Sequence, residues 1–402
     1  MNARSSKNNS IAMQSGIEVA ARFVETHRIL NPTPSSPAPH RTWAEIRPAA
    51  LRHNVAVVRA LAGERVRIMA VVKANAYGHG IGIVVPALEE CVESFGVANV
   101  TEAREVRALA EHHPVFILGP ALPEERADVA ARRFIPLVSD IAEAQAYAAL
   151  ADGEPLDIHL KIDTGMGRIG IWQDDALETV RMIRGIEGIR IAGLASHLPV
   201  ADEDEAFTRK QLESFEALVA QLRADGLASP VVHVENSAGI IGFPAHAGDV
   251  VRPGLMLYGS APVPAFQPEL RAAMTWKTRV VLVREIGAGR SVNYGRTFIA
   301  DRAMRTATLA VGYADGYPRH LSNQGAEVLI RGQRCAVLGR VTMDQIVADV
   351  SALPEVQAGE EVVLIGSQGD GEILASELAK KAGTIAWEIF TGVGSRVERV
   401  AG

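Results

Sequence analysis

The stretch from Met69 to Gly80, M-A-V-V-K-A-N-A-Y-G-H-G, puts one lysine at the end of a short apolar run and follows it with a glycine-bounded turn carrying Tyr77 and His79. An apolar run of this length between turn signals predicts a buried strand, with Lys73 at its carboxyl end. A lone lysine in that place is more often a solvated charge. Partly desolvated, its amine can instead form a Schiff base with a carbonyl group. Free lysine has a pKa near ~10.4, so that chemistry needs surroundings that favour the neutral amine. Partner residues must decide between the two.

Candidate partners follow other apolar runs. K-I-D-T-G-M-G-R-I-G sets Lys161, Asp163 and Arg168 at one run's end; Ser196 and His197 close another; Asn236, Ser237, Ala238 and Gly239 follow a third; Arg252, Pro253 and Gly254 interrupt a fourth. Each has an ordinary explanation when taken alone. His197 can be a satisfied structural histidine, Asn236 to Gly239 a turn, and the two arginines exposed rim ion pairs. Their convergence carries more weight, because burying several charges together is costly without a ligand to organise them. A hydroxyl and free backbone N–H groups after the seventh run also suit a phosphate.

The elements that must position these residues show in the apolar pattern. Eight runs, at 68–72, 95–98, 115–118, 135–138, 157–162, 191–196, 231–235 and 250–258, alternate with amphipathic helices. This predicts an α/β fold with a closed (β/α)8 TIM-like barrel, with an open doubly wound sheet as the rival. Local signals support the helices: Leu51, Val55, Val58 and Leu61 share one face, Asp140 and Glu143 have capping-box spacing, and Phe207, Phe215, Leu218 and Leu222 stripe a helix closed by Gly226. Runs at 277–286, 306–311, 327–330, 335–338, 346–350 and 361–365, with a short helix at 376–382, predict a C-terminal mostly-β domain. The expected division is an N-terminal extension and linker over 1–41, a barrel over 42–274 and a β domain over 275–402, with the strand at 42–48 joining the last. Within the extension, 11–29 has helical amphipathicity, and a Pro/Ser linker follows.

Composition narrows the partners. Of 402 residues, 48% are hydrophobic and 22% charged, and the net charge of −6 is spread without a basic block, which argues against nucleic acid and anionic membranes. Cys91 and Cys335 form neither a metal spacing nor a disulfide framework, so no metal is expected. No apolar run spans a bilayer, and the first residues lack the order of a signal peptide, so the expected location is cytoplasmic. A small molecule is the expected ligand. A Schiff-base lysine, a phosphate seat and an arginine at the barrel mouth fit pyridoxal 5'-phosphate. An arginine rather than a carboxylate at its ring nitrogen would leave the ring a weaker electron sink, favouring a brief carbanion quickly reprotonated.

From Thr42 to Gly402 the chain resembles the alanine racemase family. A-V-V-K-A-N-A-Y-G-H-G looks like its cofactor-lysine signature, and K-I-D-T-G-M-G-R-I-G, H-L-P-V-A-D-E, V-R-P-G-L-M-L-Y-G, V-G-Y-A-D-G-Y-P-R and G-R-V-T-M-D-Q look like further family blocks in the family's order. The resemblance implies a homodimer whose C-terminal domains reach the partner's active site. It implies that Lys73 holds the cofactor and exchanges the α-proton on the D-side face, while Tyr313 of the other subunit serves the L-side face. It further implies that Arg252 meets the pyridine nitrogen, that His197 links it to Tyr313, and that Tyr77, Ser237, Gly254 and Leu255 bind the phosphate. Arg168 and the backbone at Met343 would contact the substrate carboxylate, with Asp344 in support and Lys161, carbamylated in some members, orienting Arg168. One position departs: where many members carry a phosphate-contacting tyrosine, Ser395 stands here. The reaction implied is interconversion of L- and D-alanine, which supplies peptidoglycan synthesis. The alternatives are a broader racemase acting on serine, lysine or arginine, a decarboxylase on the same barrel, and a non-catalytic cofactor-binding protein.

Overall fold

The computed structural model describes residues 40–228, 230–246 and 248–402. The helix expected over 11–29 and the linker after it lie outside the described residues. Residues 41–402 form one compact unit.

Eight parallel strands run in the order of a barrel: β2 (Arg67–Val71), β3 (Ser94–Val97), β4 (Val115–Ile117), β5 (Ile135–Val138), β6 (Leu156–Asp163), β7 (Ile189–Ala195), β8 (Val231–His233) and β9 (Val250–Val251), with β9 paired to β2. No ladder joins β8 to β9. Two backbone bonds, Asp249 N–H to the Val232 carbonyl at 2.8 Å and Arg252 N–H to the Glu235 carbonyl at 3.0 Å, bridge that seam. The barrel is nearly closed, with the interior filled in part by Met69, Phe116, Leu137, Ala195 and Val250.

The helices follow their local signals. Pro48 opens the helix Pro48–Ala62, and Gly63, at φ 91°, stops it. Leu51, Val55 and Val58 are buried on its inner face, and full burial of such a side chain stabilises by about 1.5–3 kcal/mol. Asp140 accepts Glu143 N–H at 2.7 Å, while the Glu143 carboxylate reaches back to Ser139 N–H at 2.8 Å. Along Glu205–Ala224, Phe215, Leu218 and Leu222 are buried, but Phe207 is 38% exposed. The expected stripe starts one turn later because Phe207 lies in the first turn, over the Gly165 loop at the mouth.

Most of the remaining strands build a second, mainly antiparallel sheet. It contains β1 (Thr42–Ile46), β10 (Met274–Ile286), β11 (Met304–Leu309), β12 (Glu327–Ile330), β13 (Gln333–Ala336), β14 (Ile346–Asp349), β15 (Glu361–Gln368) and β16 (Glu398–Ala401). β1 lies between β10, antiparallel with Ala44 opposite Trp276, and β16, parallel with Trp43 opposite Glu398. Trp276 is fully buried, and its indole N–H donates to the Thr42 hydroxyl at 3.1 Å. The first and last strands are thereby adjacent in one sheet.

Among the strand ends that differ from expectation, two shape the site. β2 stops at Val71, so Lys73 stands beyond the strand rather than closing it. The run at 250–258 is a strand only over Val250–Val251; Pro253 and Gly254 then turn the chain into a short 3-10 segment, Leu255–Tyr258.

Candidate active site

After Lys73 the backbone enters an uncommon conformation. Ala74, Asn75, Ala76 and Tyr77 all have φ between 52° and 54°, a left-handed region that costs a residue with a Cβ about 1–2 kcal/mol. The turn is held from several sides. Asn75 takes Ile81 N–H on its side chain at 2.8 Å and Gly80 N–H on its carbonyl at 2.9 Å, and Ala74 N–H donates to the Glu102 carboxylate at 2.7 Å. Gly78 continues at φ 76°, where a Cβ would collide with the Phe390 carbonyl. This left-handed turn brings Lys73 and Tyr77 to the same cavity.

That cavity, of about 650 Å³, opens at the carboxyl ends of the barrel strands. Lys73, Tyr77, Lys161, Arg168, His197, Ser237, Arg252, Gly254 and Leu255 all border it. Nine residues expected from separate stretches of sequence therefore share one space. Burial, with the fields of Arg168 and Arg252, lowers the Lys73 pKa from the ordinary lysine value, while Glu102 acts the other way. Burial pushes the Tyr77 hydroxyl up to about 12, so it keeps its proton as a donor.

Arg252 is 6% exposed, and among the described residues no carboxylate is hydrogen-bonded to it. Its guanidinium donates to the Ser196 carbonyl at 2.6 Å and the Val234 carbonyl at 3.0 Å, and lies 2.6 Å from His233 Nδ1 and 3.4 Å from His197 Nδ1. Burial lowers its pKa to about 10, which leaves it charged near neutrality. His233 is in turn 2.8 Å from His159. Burial holds His197 and His233 well below ordinary histidine and takes His159 to about 3, so all three rings stay neutral around a fixed positive charge. Nearby Glu235 is pushed up by burial to about 8 and is largely protonated at neutral pH.

The segment after β6 is organised by one carboxylate. Asp163 accepts backbone N–H groups from Gly165, Met166, Gly167 and Arg168 at 2.8–3.1 Å. Burial alone would raise its pKa, but these four donors outweigh burial and lower it. The loop so fixed presents Arg168 to the cavity. Lys161, 4% exposed, has no hydrogen-bond partner for its amine among the described residues, and burial together with Arg252 takes it to about 7. Across the cavity, the Ser237 hydroxyl accepts Gly254 N–H at 3.0 Å and Met256 N–H at 3.2 Å. A Cβ on Gly254 would strike the Tyr77 hydroxyl, so the glycine allows Tyr77 to approach this seat.

Tyr313, Met343 and Asp344 stand elsewhere. Tyr313 N–H donates to the Thr342 carbonyl and Ala314 N–H to the Met343 carbonyl, both at 3.0 Å, pairing two loops of the β domain. Arg396 ties the same loops, 2.9 Å from Asp344 and 3.2 Å from buried Asp315. Tyr313 is 42% exposed and Met343 53%, and neither borders the cavity of their own chain.

The family description "Alanine racemase, N-terminal domain" matches residues 46–262, and "Alanine racemase, C-terminal domain" matches residues 273–401. The chain belongs to the alanine racemase family. It is 41% identical to the alanine racemase of Halothermothrix orenii over 89% of this chain and 96% of that one. It is also 41% identical to that of Symbiobacterium thermophilum, over 90% and 97%. Among solved structures, a biosynthetic alanine racemase from Pseudomonas aeruginosa superposes with a TM-score of 0.82 at 36% identity, covering 90% of this chain and 99% of that one. For the alanine racemase of Clostridium difficile 630 the TM-score is 0.83 at 32% identity, with 90% and 95% covered.

Several residues that hold this region in place escaped the sequence. Glu102 lies nearly thirty positions from the lysine turn that it holds, His159 and His233 read as ordinary strand residues, and Arg396 sits beside Ser395. Ser395 itself is exposed and does not border the cavity. Instead Ile385, Trp387 and Thr391, in and next to the helix Ala386–Thr391, reach the mouth. Only a prediction of that helix could have pointed to them. Among the described residues, no helix is long and apolar enough to cross a membrane.

Proposed function

We propose that the protein is a pyridoxal 5'-phosphate-dependent alanine racemase that interconverts L- and D-alanine. The observation that carries this is the shared cavity: a half-buried lysine of lowered pKa, a buried arginine without a bonded carboxylate, and a seat of hydroxyls and backbone beside a glycine. These residues fit the cofactor. Tyr77, Ser237, Gly254 and Leu255 would hold its phosphate, Arg252 would meet its ring nitrogen, and Lys73 would bind it covalently. When bound, the cofactor supplies an electron sink that acidifies the α-carbon of the amino acid.

The chain's own groups then handle the proton. A racemase returns a proton to the face opposite the one it left, so two acid/base groups on opposite faces avoid turning the substrate over. Lys73 Nζ would serve the D-side face, and its lowered pKa suits a group that must be a free amine part of the time. The Tyr313 hydroxyl of a second copy would serve the L-side face. Arg168, steadied by the Asp163 loop, would hold the substrate carboxylate together with the backbone at Met343, with Asp344 in support. His197, neutral beside Arg252, would link that arginine to Tyr313. Lys161, unpartnered and near neutrality in pKa, has the free amine that carbamylation requires, and the carbamate would face Arg168.

The exposure of Tyr313 and Met343 supports a homodimer with shared sites. We divide the chain at about residue 274, between the two family matches. D-Alanine production would supply peptidoglycan, and the free thiols of Cys91 and Cys335 suit the reducing cytoplasm. Incubation of the protein and pyridoxal 5'-phosphate with L-alanine in deuterated water tests the reaction. Approach to a one-to-one mixture of enantiomers with deuterium at the α-carbon is expected. Unchanged L-alanine, with the visible band of lysine-bound cofactor present, would mean a different reaction, and release of carbon dioxide would identify a decarboxylase.

A further inference from the structure

Glu102 belongs to none of the segments that carry the reaction, yet it reaches the strained turn after Lys73. It lies in the first turn of the helix Val100–Leu109, where its own N–H donates to the capping Asn99 side chain at 3.0 Å. Its two carboxylate oxygens face away from that helix: one accepts Ala74 N–H at 2.7 Å and the other Ala98 N–H at 2.8 Å. A helix amino end favours a negative charge, which suits a carboxylate at this position. Ala74 is the first of the four left-handed residues. The bond therefore fixes the turn at the step between Lys73 and its strained successors. Ala74 is exposed, so water can replace the hydrogen bond but cannot hold the geometry.

We propose that Glu102 is a positioning residue of the reaction: its carboxylate clamps the left-handed turn after Lys73 and supplies the negative charge that this lysine meets. The inference rests on Lys73 being the cofactor-holding amine. The surroundings give that charge its importance. Arg252 and Arg168 line the same cavity as Lys73 and act on it electrostatically, Lys161 rises from β6, and His197 and Tyr77 are neutral. Asp163 spends its carboxylate on four backbone donors, and Asp202 and Glu203 are exposed at the rim. Glu102 is the acid whose field opposes the two arginines at Lys73. Without it, the amine loses its proton at lower pH and the turn loses its anchor.

The test compares Glu102→Gln, which keeps an acceptor oxygen and removes the charge, with Glu102→Asp and Asn99→Ala. Cofactor-free protein is mixed with pyridoxal 5'-phosphate across a pH series, and the visible band of lysine-bound cofactor gives the rate of capture. In Glu102→Gln the pH of half-maximal capture should fall by about 0.5 unit or more, and kcat should drop by about tenfold with a smaller change in KM. Glu102→Asp should recover part of the pH shift. Asn99→Ala, which loosens the helix start but keeps the charge, should lower Tm and leave the capture profile in place. A Glu102→Gln profile superimposed on the wild type would overturn the proposal, as would an equal displacement in Asn99→Ala. Lys73→Ala separates the underlying assignment: if that protein still develops the band, the lysine assignment fails, and the role of Glu102 with it.

Discussion

Arg252 and Lys161 are 6% and 4% exposed, whereas Tyr313 and Met343 are 42% and 53% exposed, although all four are assigned to one reaction. The barrel mouth fixes its charges by burial. Arg252 stays charged among carbonyls and neutral histidines, and Lys161 is left without a partner. The Tyr313 loop is held by backbone bonds, by the Asp315 carboxylate on Gly312 N–H and by the Arg396 ion pairs, and its aromatic side chain meets solvent. Water replaces a buried site's electrostatic control wherever it enters. The charges of the barrel mouth are thus set by burial within one chain, whereas the Tyr313 loop is exposed.

The substitution expected to do most is Lys73→Ala, which removes the amine from the buried region. It should abolish the visible band of lysine-bound cofactor and lower turnover by at least about 10²–10⁴-fold, the range for a lost acid/base group. Absorbance spectra and racemisation rates check both. Tyr313→Phe, in the exposed region, should leave the band intact and slow α-proton exchange from L-alanine by about 10²-fold, with a smaller effect from D-alanine. Equal losses in the two directions would break the assignment of one group to each face. Arg396→Ala should loosen the paired loops and lower kcat by roughly tenfold or less, with cofactor affinity unchanged. A weakened band in that variant would mean that the two regions are coupled within one chain.

The smallest effect is on stability, and it too should separate the regions. His79 and His159 are taken by burial to about 4 and about 3, below the free-histidine value of 6.5. The unfolded chain therefore binds protons first, and the stability they contribute above about pH 6.5 is lost as pH falls toward those values. Replacing His159 by Phe should reduce the acid slope of unfolding free energy by about 1.4 kcal/mol per pH unit between about pH 6 and 4. Denaturant melts across that range measure it. Tyr313→Phe should leave the slope unchanged.

What the sequence revealed follows the same division. Parallel strands buried on both faces leave continuous apolar runs, which is why all eight barrel strands were legible while their ends drifted by a few residues. The polar residues after those runs stood out against an apolar background. The lysine turn did not, because four consecutive left-handed residues are set by local bonds to Asn75 and a long-range bond to Glu102, and A-N-A-Y carries no glycine to announce them. Phe207 was misread because helical spacing cannot show that a helix's first turn overhangs the barrel. The helix Ala386–Thr391 and β16 were missed because each is short and owes its place to packing or to pairing with β1. Arg396 and the histidines behind Arg252 have meaning only through partners distant in sequence, which a single chain read in order does not pair.

A mixture of Lys73→Ala and Tyr313→Phe chains, co-expressed with different tags, tests the shared site most directly. If each site takes its lysine from one chain and its tyrosine from another, every hybrid dimer contains one intact site. Random pairing then predicts recovery of about a quarter of wild-type racemase activity from two nearly inactive parents. Activity of the purified hybrid no higher than that of either parent would contradict the account, because lysine and tyrosine would then have to come from the same chain.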